Sequence, residues 1–151
     1  MAAKKIAIIG DGGWGTALAL HLNKNKQKVT LWGAFPDYVE VVKKKRENTK
    51  FLKGFKLPQK IALTSNLEEA ISKNEVIVLA IPTPFIRSVL SKLPKMKGLS
   101  LRGKVFVNVS KGMENETLLL SSQIIEQFIQ KAPLAVLSGP SHAEEVAKGK
   151  P

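Results

Sequence analysis

Apolar and polar positions along the chain follow two alternating periods. Residues 5–9 form a short apolar run that stops at Gly10, and residues 14–23 then set Ala17, Leu18 and Leu22 on one face at helical spacing. A second strand is predicted over 28–32, ending at Gly33. A helix over 36–46 follows, with Val39 and Val42 in phase and Pro36 suited to its first turn. Residues 48–60 contain Gly54 and Pro58, show no clean period and are expected to be a loop. Residues 61–63 are a short third strand, and Asn66 caps a helix over 67–72 that carries Glu68 and Glu69 where the helix dipole favours acid. Residues 76–80, Val-Ile-Val-Leu-Ala, form a continuous apolar strand of the kind covered on both faces. Pro82 and Pro84 break it, and a helix resumes over 85–93. A fifth strand is predicted over 105–109 and a long helix over 116–129, with Leu119, Leu120, Ile124 and Phe128 in phase. A sixth strand is predicted over 134–137 and a last helix over 141–148.

Strict alternation of buried-type strands with helices predicts one α/β domain, a doubly wound parallel sheet with helices on both faces. The 151 residues suffice for a single core. No apolar run approaches the roughly 18 residues of a membrane span, and the apolar run before Gly10 is too short for the core of a secretory leader. A cytoplasmic protein is expected. The absence of cysteine excludes disulfides and Cys-ligated metal, and two histidines, His21 and His142, leave little for any metal site. Lys plus Arg number 24 against 12 Asp plus Glu, a net charge of +12. Such an excess suits nucleic acid, a membrane surface or anionic small molecules. The lysines are dispersed, however, and no helix-turn-helix or basic–aromatic interleaving accompanies them, so no nucleic-acid partner and no membrane insertion are expected.

The chemistry concentrates at Gly10-Asp11-Gly12-Gly13-Trp14-Gly15, a G-x-G-x-x-G run. It lies directly after the first strand and opens the first helix, the context in which that pattern binds a dinucleotide. Gly10 allows the turn, Gly12 lets the backbone approach a pyrophosphate, and Gly15 lets helix and sheet pack closely. The acid that such folds place at the end of the second strand, for the adenosine ribose, is missing, because Gly33-Ala34 stands there. No Arg or Lys for a 2′-phosphate replaces it, so NAD and NADP both remain open. Further segments at predicted strand ends are 81–85, 110–112 and 138–143. Lys111 there is a candidate for holding a phosphate or polarising a carbonyl. Lys104, at the opposite end of the same strand, reads as an ordinary surface lysine. His21 and His142 read as surface residues, and Trp14 and Phe85 as core aromatics unless a ligand engages them.

Five segments, in order along the whole chain, resemble the NAD(P)-dependent glycerol-3-phosphate dehydrogenase family. They are Gly-x-Gly-x-Trp-Gly-Thr-Ala-Leu-Ala, Val-Thr-Leu-Trp, residues 48–58, residues 107–114 and residues 137–147. The resemblance implies a Rossmann-type sheet in the order 3-2-1-4-5-6 and reversible reduction of dihydroxyacetone phosphate to sn-glycerol 3-phosphate, in glycerophospholipid precursor supply. It implies NAD or NADP contacts at Gly10, Asp11, Gly12, Gly13, Trp14, Gly15, Ala34, Phe85, Lys111 and Ala143. It places substrate contacts at Lys111, Gly139 and Ser141. It further implies that the proton-transferring lysine lies in a helical second domain. Residues 1–151 are then the cofactor-binding domain alone, inactive by itself, with no catalytic residue of that kind and no metal, from a protein that pairs as a homodimer.

Three residues depart from the family pattern. Gly13 replaces a small or polar residue and removes one side-chain contact. Asp11 sets a carboxylate near the expected phosphates, tolerable only if it points away. Ala34 replaces a residue that relatives place against the adenosine end. Two other readings compete: a Rossmann domain of a dehydrogenase acting on a hydroxy acid or a nucleotide sugar, and a dinucleotide-sensing binding module.

Overall fold

Successive side chains on a strand face opposite sides of a sheet, and β1 (Lys5–Ile9) uses this to feed two cores at once. Ala7 and Ile9 enter one apolar layer and Ile6 and Ile8 the other, all four buried. The computed structural model of the chain describes residues 2–129 and 131–150. Its six strands are β1, β2 (Lys28–Trp32), β3 (Ala62–Thr64), β4 (Val76–Leu79), β5 (Val105–Asn108) and β6 (Leu134–Val136). They pair in the order β3-β2-β1-β4-β5-β6, every pairing parallel.

Helices α1 (Gly13–Lys24) and α2 (Pro36–Lys45) contribute Leu18, Ala19 and Val42 to the layer of Ile6 and Ile8. Helices α3 (Leu67–Ser72), α4 (Thr83–Leu90) and α5 (Ser121–Glu126) pack around Phe106 on the opposite face. The last helix, α6 (Ala143–Ala147), lies against α1. Asn66 caps α3, its side chain accepting from the Glu69 N–H at 3.0 Å. From β1 the chain winds outward through β2 to β3, then returns to β4 on the other side of β1. The strand ends of β1 and β4 therefore border the crevice where the winding reverses, the position at which open α/β sheets bind ligands.

Several elements differ from the sequence expectation. The third strand is shifted by one residue, and α4 begins at Thr83, with Pro84 inside its first turn rather than breaking the chain before it. The long helix expected over 116–129 shrinks to α5. Glu114 is drawn to Arg87, whose Nε and Nη2 reach its two carboxylate oxygens at 2.9 and 2.8 Å, and the Thr117 hydroxyl donates to it as well. The chain then doubles back, with Leu118 at φ +58° and an antiparallel bridge from Met113 to Leu120. Arg87 holds the Glu114 carboxyl down at about 2, with Thr117 assisting. Leu120 is half exposed, whereas Leu119, Ile124 and Phe128 pack in or against the Phe106 core although only part of the predicted helix forms.

Lys104 is a further correction. It is 9% exposed, and its Nζ donates to the carbonyls of Asn74 at 2.8 Å and Ser72 at 3.1 Å. The ammonium satisfies the backbone where α3 gives way to β4, and burial pushes its pKa down. It is a structural lysine.

Candidate functional site

The glycines of the 10–15 turn divide the work between folding and access. Gly10 has φ +123°, a left-handed conformation that disfavours a side chain, and a Cβ there would also strike the Ala80 carbonyl group, 2.8 Å from its carbon. A Cβ on Gly15 would run into the Gly10 carbonyl. A Cβ on Gly13 would lie 2.8 Å from the Phe51 carbonyl oxygen and 3.7 Å from the Ala143 Cβ. Gly12 is different. Its φ is −66°, and nothing lies within 4 Å of where its Cβ would stand. The open space over Gly12 is the mouth of a cleft of about 380 Å³, lined by residues 12–15, 80–82 and 109–111 with Ser141 and Ala143. Gly12 is the N-cap of α1, no side chain caps that end, and no acid occupies its first turn. The first-turn N–H groups are left for a ligand, and the helix dipole favours an anion there.

The far wall of the cleft comes from the exit of β5. Asn108 is 1% exposed, its amide donating to Ser121 Oγ at 2.7 Å while its carbonyl oxygen accepts from the Ser110 N–H at 3.0 Å. Ser110 Oγ donates to the Ile81 carbonyl at 2.6 Å, tying the β5 exit to the β4 exit. Thr83 Oγ1 donates to the Lys111 carbonyl at 2.7 Å, and Gly112, at φ +101°, turns the chain away. Lys111 is thus fixed at its backbone and exposed at its side chain, whose Nζ donates to the Gly139 carbonyl at 2.7 Å. A smaller pocket of about 190 Å³ shares Trp14, Val109, Lys111 and Ser141 with the main cleft and extends it over residues 137–140.

Among the residues singled out from the sequence, Gly12, Gly13, Trp14, Gly15, Lys111, Ser141 and Ala143 converge on this one cleft, and Gly139 joins it in the extension. Gly10 shapes the turn from behind. Phe85 stands on the first turn of α4, 59% exposed, outside the residues that line the cleft. Ala34 is exposed beyond β2, and Asp11 turns away from the cleft toward Gly33. His21 on α1 meets Asn25, and exposed His142 precedes α6, so neither lines the cleft. No group of acidic or histidine side chains that could hold a metal ion occurs among the described residues, and no described helix is long and apolar enough to cross a membrane.

One organising residue was not legible in the sequence. Asn48, fully buried, donates to the Asp11 carbonyl at 2.7 Å and to Thr16 Oγ1 at 2.8 Å, and accepts from the Tyr38 hydroxyl at 2.6 Å and the Phe51 N–H at 3.2 Å. The segment expected to be a loop is therefore pinned to the glycine turn. Leu52 and Leu57, each 2% exposed, anchor its underside.

A doubly wound parallel sheet with a glycine-rich turn, an uncapped helix N-terminus and a cleft at the reversal point defines a Rossmann-type domain built like those of dinucleotide-dependent enzymes. Residues 5–151 match the family model for the NAD-dependent glycerol-3-phosphate dehydrogenase N-terminus, and the chain belongs to that family. It is 45% identical over 149 residues to the glycerol-3-phosphate dehydrogenase [NAD(P)+] of Fusobacterium nucleatum, covering 97% of this chain and 44% of the relative. It is 42% identical over 145 residues to that of Agathobacter rectalis, covering 95% and 42%. The crystal structure of the Coxiella burnetii glycerol-3-phosphate dehydrogenase superposes with a TM-score of 0.86 at 28% identity, over 97% of this chain and 44% of that one. The chain spans less than half the length of the relatives it matches.

Proposed function

We propose that this chain is the cofactor-binding domain of a glycerol-3-phosphate dehydrogenase, which interconverts dihydroxyacetone phosphate and sn-glycerol 3-phosphate with NAD(H) or NADP(H). The observation that carries the reading is the pairing of the unobstructed space over Gly12 with a fixed lysine at the other end of the same cleft. The residues fit a dinucleotide. The pyrophosphate would lie over Gly12 against the first-turn N–H groups of α1, where a side chain would intrude. The adenosine would extend past Asp11 and Ala34, and the nicotinamide toward Trp14, Ala143 and the β5 exit, with Phe85 at its rim. The nicotinamide supplies or accepts the hydride.

On this reading, Lys111 sets a positive charge where the ketone oxygen gains negative charge and where the phosphate must be held, and a fixed cation there favours both. Gly139 and Ser141 form the substrate side of the same pocket. The remaining length of the relatives corresponds to a helical domain supplying the proton-transferring lysine and closing the cleft. The complete protein is a cytoplasmic homodimer serving glycerophospholipid supply. The test is calorimetric titration of the chain with NADH and NADPH, followed by NADH oxidation assays with dihydroxyacetone phosphate on the chain and on the longer protein. Tight dinucleotide binding by the chain with turnover only in the longer protein is the expected outcome. Failure to bind either dinucleotide overturns the assignment.

A further inference from the structure

The acid absent from the end of β2 is replaced in space by a residue from the glycine turn. β1 and β2 run parallel with Ile9 opposite Trp32, and the Gly10 N–H donates to the Trp32 carbonyl at 3.0 Å. Gly10 thus stands opposite Gly33, and Asp11, one residue further along the turn, sends its side chain back over Gly33. Gly33 is buried and has no side chain, and the Asp11 carboxyl occupies the space beside it. A Cβ on Gly33 would lie 2.7 Å from Asp11 Cγ and 2.7 Å from Val39 Cγ2. Asn48 holds the Asp11 backbone carbonyl from the other side.

Asp11 Oδ2 is shut from solvent and meets no hydrogen-bond donor among the described residues. Burial raises the carboxyl pKa, opposed by its own backbone N–H and more distantly by Lys50. A buried acceptor without a donor calls for an explanation, and at a ligand-binding edge a donor carried by the ligand supplies one. The residue as a whole is only half buried, so its carboxyl can turn from Gly33 toward a molecule lying over the end of β2.

We infer that Asp11 stands in for the missing β2 acid: it accepts hydrogen bonds from the ribose hydroxyls of the adenosine half and disfavours a phosphate at the 2′ position, so that this chain prefers NAD(H) to NADP(H). The inference rests on the dinucleotide reading proposed above. Gly33 is then the socket that makes the exchange sterically possible, and the acid has moved from one strand end to its neighbour.

The test is a parallel titration of NADH and NADPH, by calorimetry, into the parent chain, Asp11→Asn and Asp11→Ala, with circular dichroism confirming that each variant is folded. The parent should bind NADH at least ~10-fold more tightly than NADPH. Asp11→Asn keeps the size and an acceptor but removes the charge, so NADH binding should change by less than about 3-fold while NADPH binding tightens and the ratio collapses. Asp11→Ala should weaken NADH by about 10-fold, a lost hydrogen-bonding group of roughly 1.4 kcal/mol. If Asp11 only fills the gap beside Gly33, both dinucleotides weaken together and the ratio holds, which overturns the inference. A parent that prefers NADPH overturns it as well, while leaving the dinucleotide reading intact. A parent that binds neither overturns both.

Discussion

Gly12 and Gly15 lie three residues apart in one turn, yet the structure assigns opposite consequences to giving each a side chain. At Gly15 a Cβ would collide with the Gly10 carbonyl and stand 3.3 Å from the Ala80 Cβ. Neither neighbour is the free end of a flexible side chain, so α1 must move off the sheet. Overpacking of this kind costs typically ~1–3 kcal/mol, and a shift of backbone rather than side chain places Gly15→Ala at the upper end, about 3 kcal/mol. For a domain of this size each kcal/mol is worth about 2–4 °C in Tm, so a fall of roughly 6–12 °C is expected. At Gly12 the backbone is ordinary and the space is empty. Gly12→Val should cost no more than the ~1 kcal/mol lost on replacing a tolerated N-cap glycine. It fills the mouth of the cleft, however, and should weaken NADH binding by about 10²-fold, which corresponds to roughly 2.7 kcal/mol. Thermal melting monitored by circular dichroism and calorimetric titration with NADH, on both variants, separate the two effects. A Gly12→Val chain that melts near the parent and binds NADH equally well would show that the empty space is not where the pyrophosphate lies. A Gly15→Ala chain as stable as the parent would refute the claim that the helix is seated on the strand end.

Lys104→Ala should lower stability by about 2–3 kcal/mol, because it strips the donor from two backbone carbonyls at a buried site; urea unfolding checks this, and a midpoint shift indistinguishable from that of an exposed lysine such as Lys97 would contradict it. In the longer protein, Lys111→Ala should reduce kcat/KM for dihydroxyacetone phosphate by ~10²-fold or more while NADH affinity changes little; parallel losses in both would reduce Lys111 to diffuse surface charge. The Glu114 carboxyl, held at about 2 by Arg87, has a depressed folded-state pKa. Its stabilisation is therefore fully present above about pH 4.5, the ordinary value for Glu, and is lost as pH falls toward 2. The difference in urea midpoint between parent and Glu114→Gln should shrink between pH 5 and 2.5, and a difference constant over that window would refute the pairing.

The strands were legible because a strand covered on both faces needs a short unbroken apolar run, and the β-branched run Val76 to Leu79 is the least ambiguous of them. The glycine turn was legible for the same kind of reason, since its spacing and its place between strand and helix are local. What failed depended on partners far along the chain. Leu119, Leu120, Ile124 and Phe128 have the phase of one long helix, but the backbone before Ser121 follows Glu114, which answers to Arg87, 27 residues earlier. Lys104 looks like any other lysine until two carbonyls about 30 residues away are brought to it. Asn48 offers no signal in its own neighbourhood, because its amide donates to residues 37 and 32 positions earlier. The role of Asp11 was half visible. Its carboxylate had to point away from the phosphates, but only the packing at Gly33 shows the direction it takes.

The Asn48 clasp bears on the thermodynamics of binding. Loops that wrap a ligand commonly lose conformational freedom at the moment of capture, and that loss is subtracted from the affinity. Here the carboxamide already joins the 48–57 segment to the turn at Asp11 and to Thr16, while Leu52 and Leu57 are sunk in the core. The ordering cost is met during folding rather than during association, so the binding edge is preorganised. Association should accordingly show little burial of loop surface in its heat capacity and little dependence of on-rate on loop motion. Severing the clasp should transfer that entropy back to the binding step without removing an atom that lines the cleft.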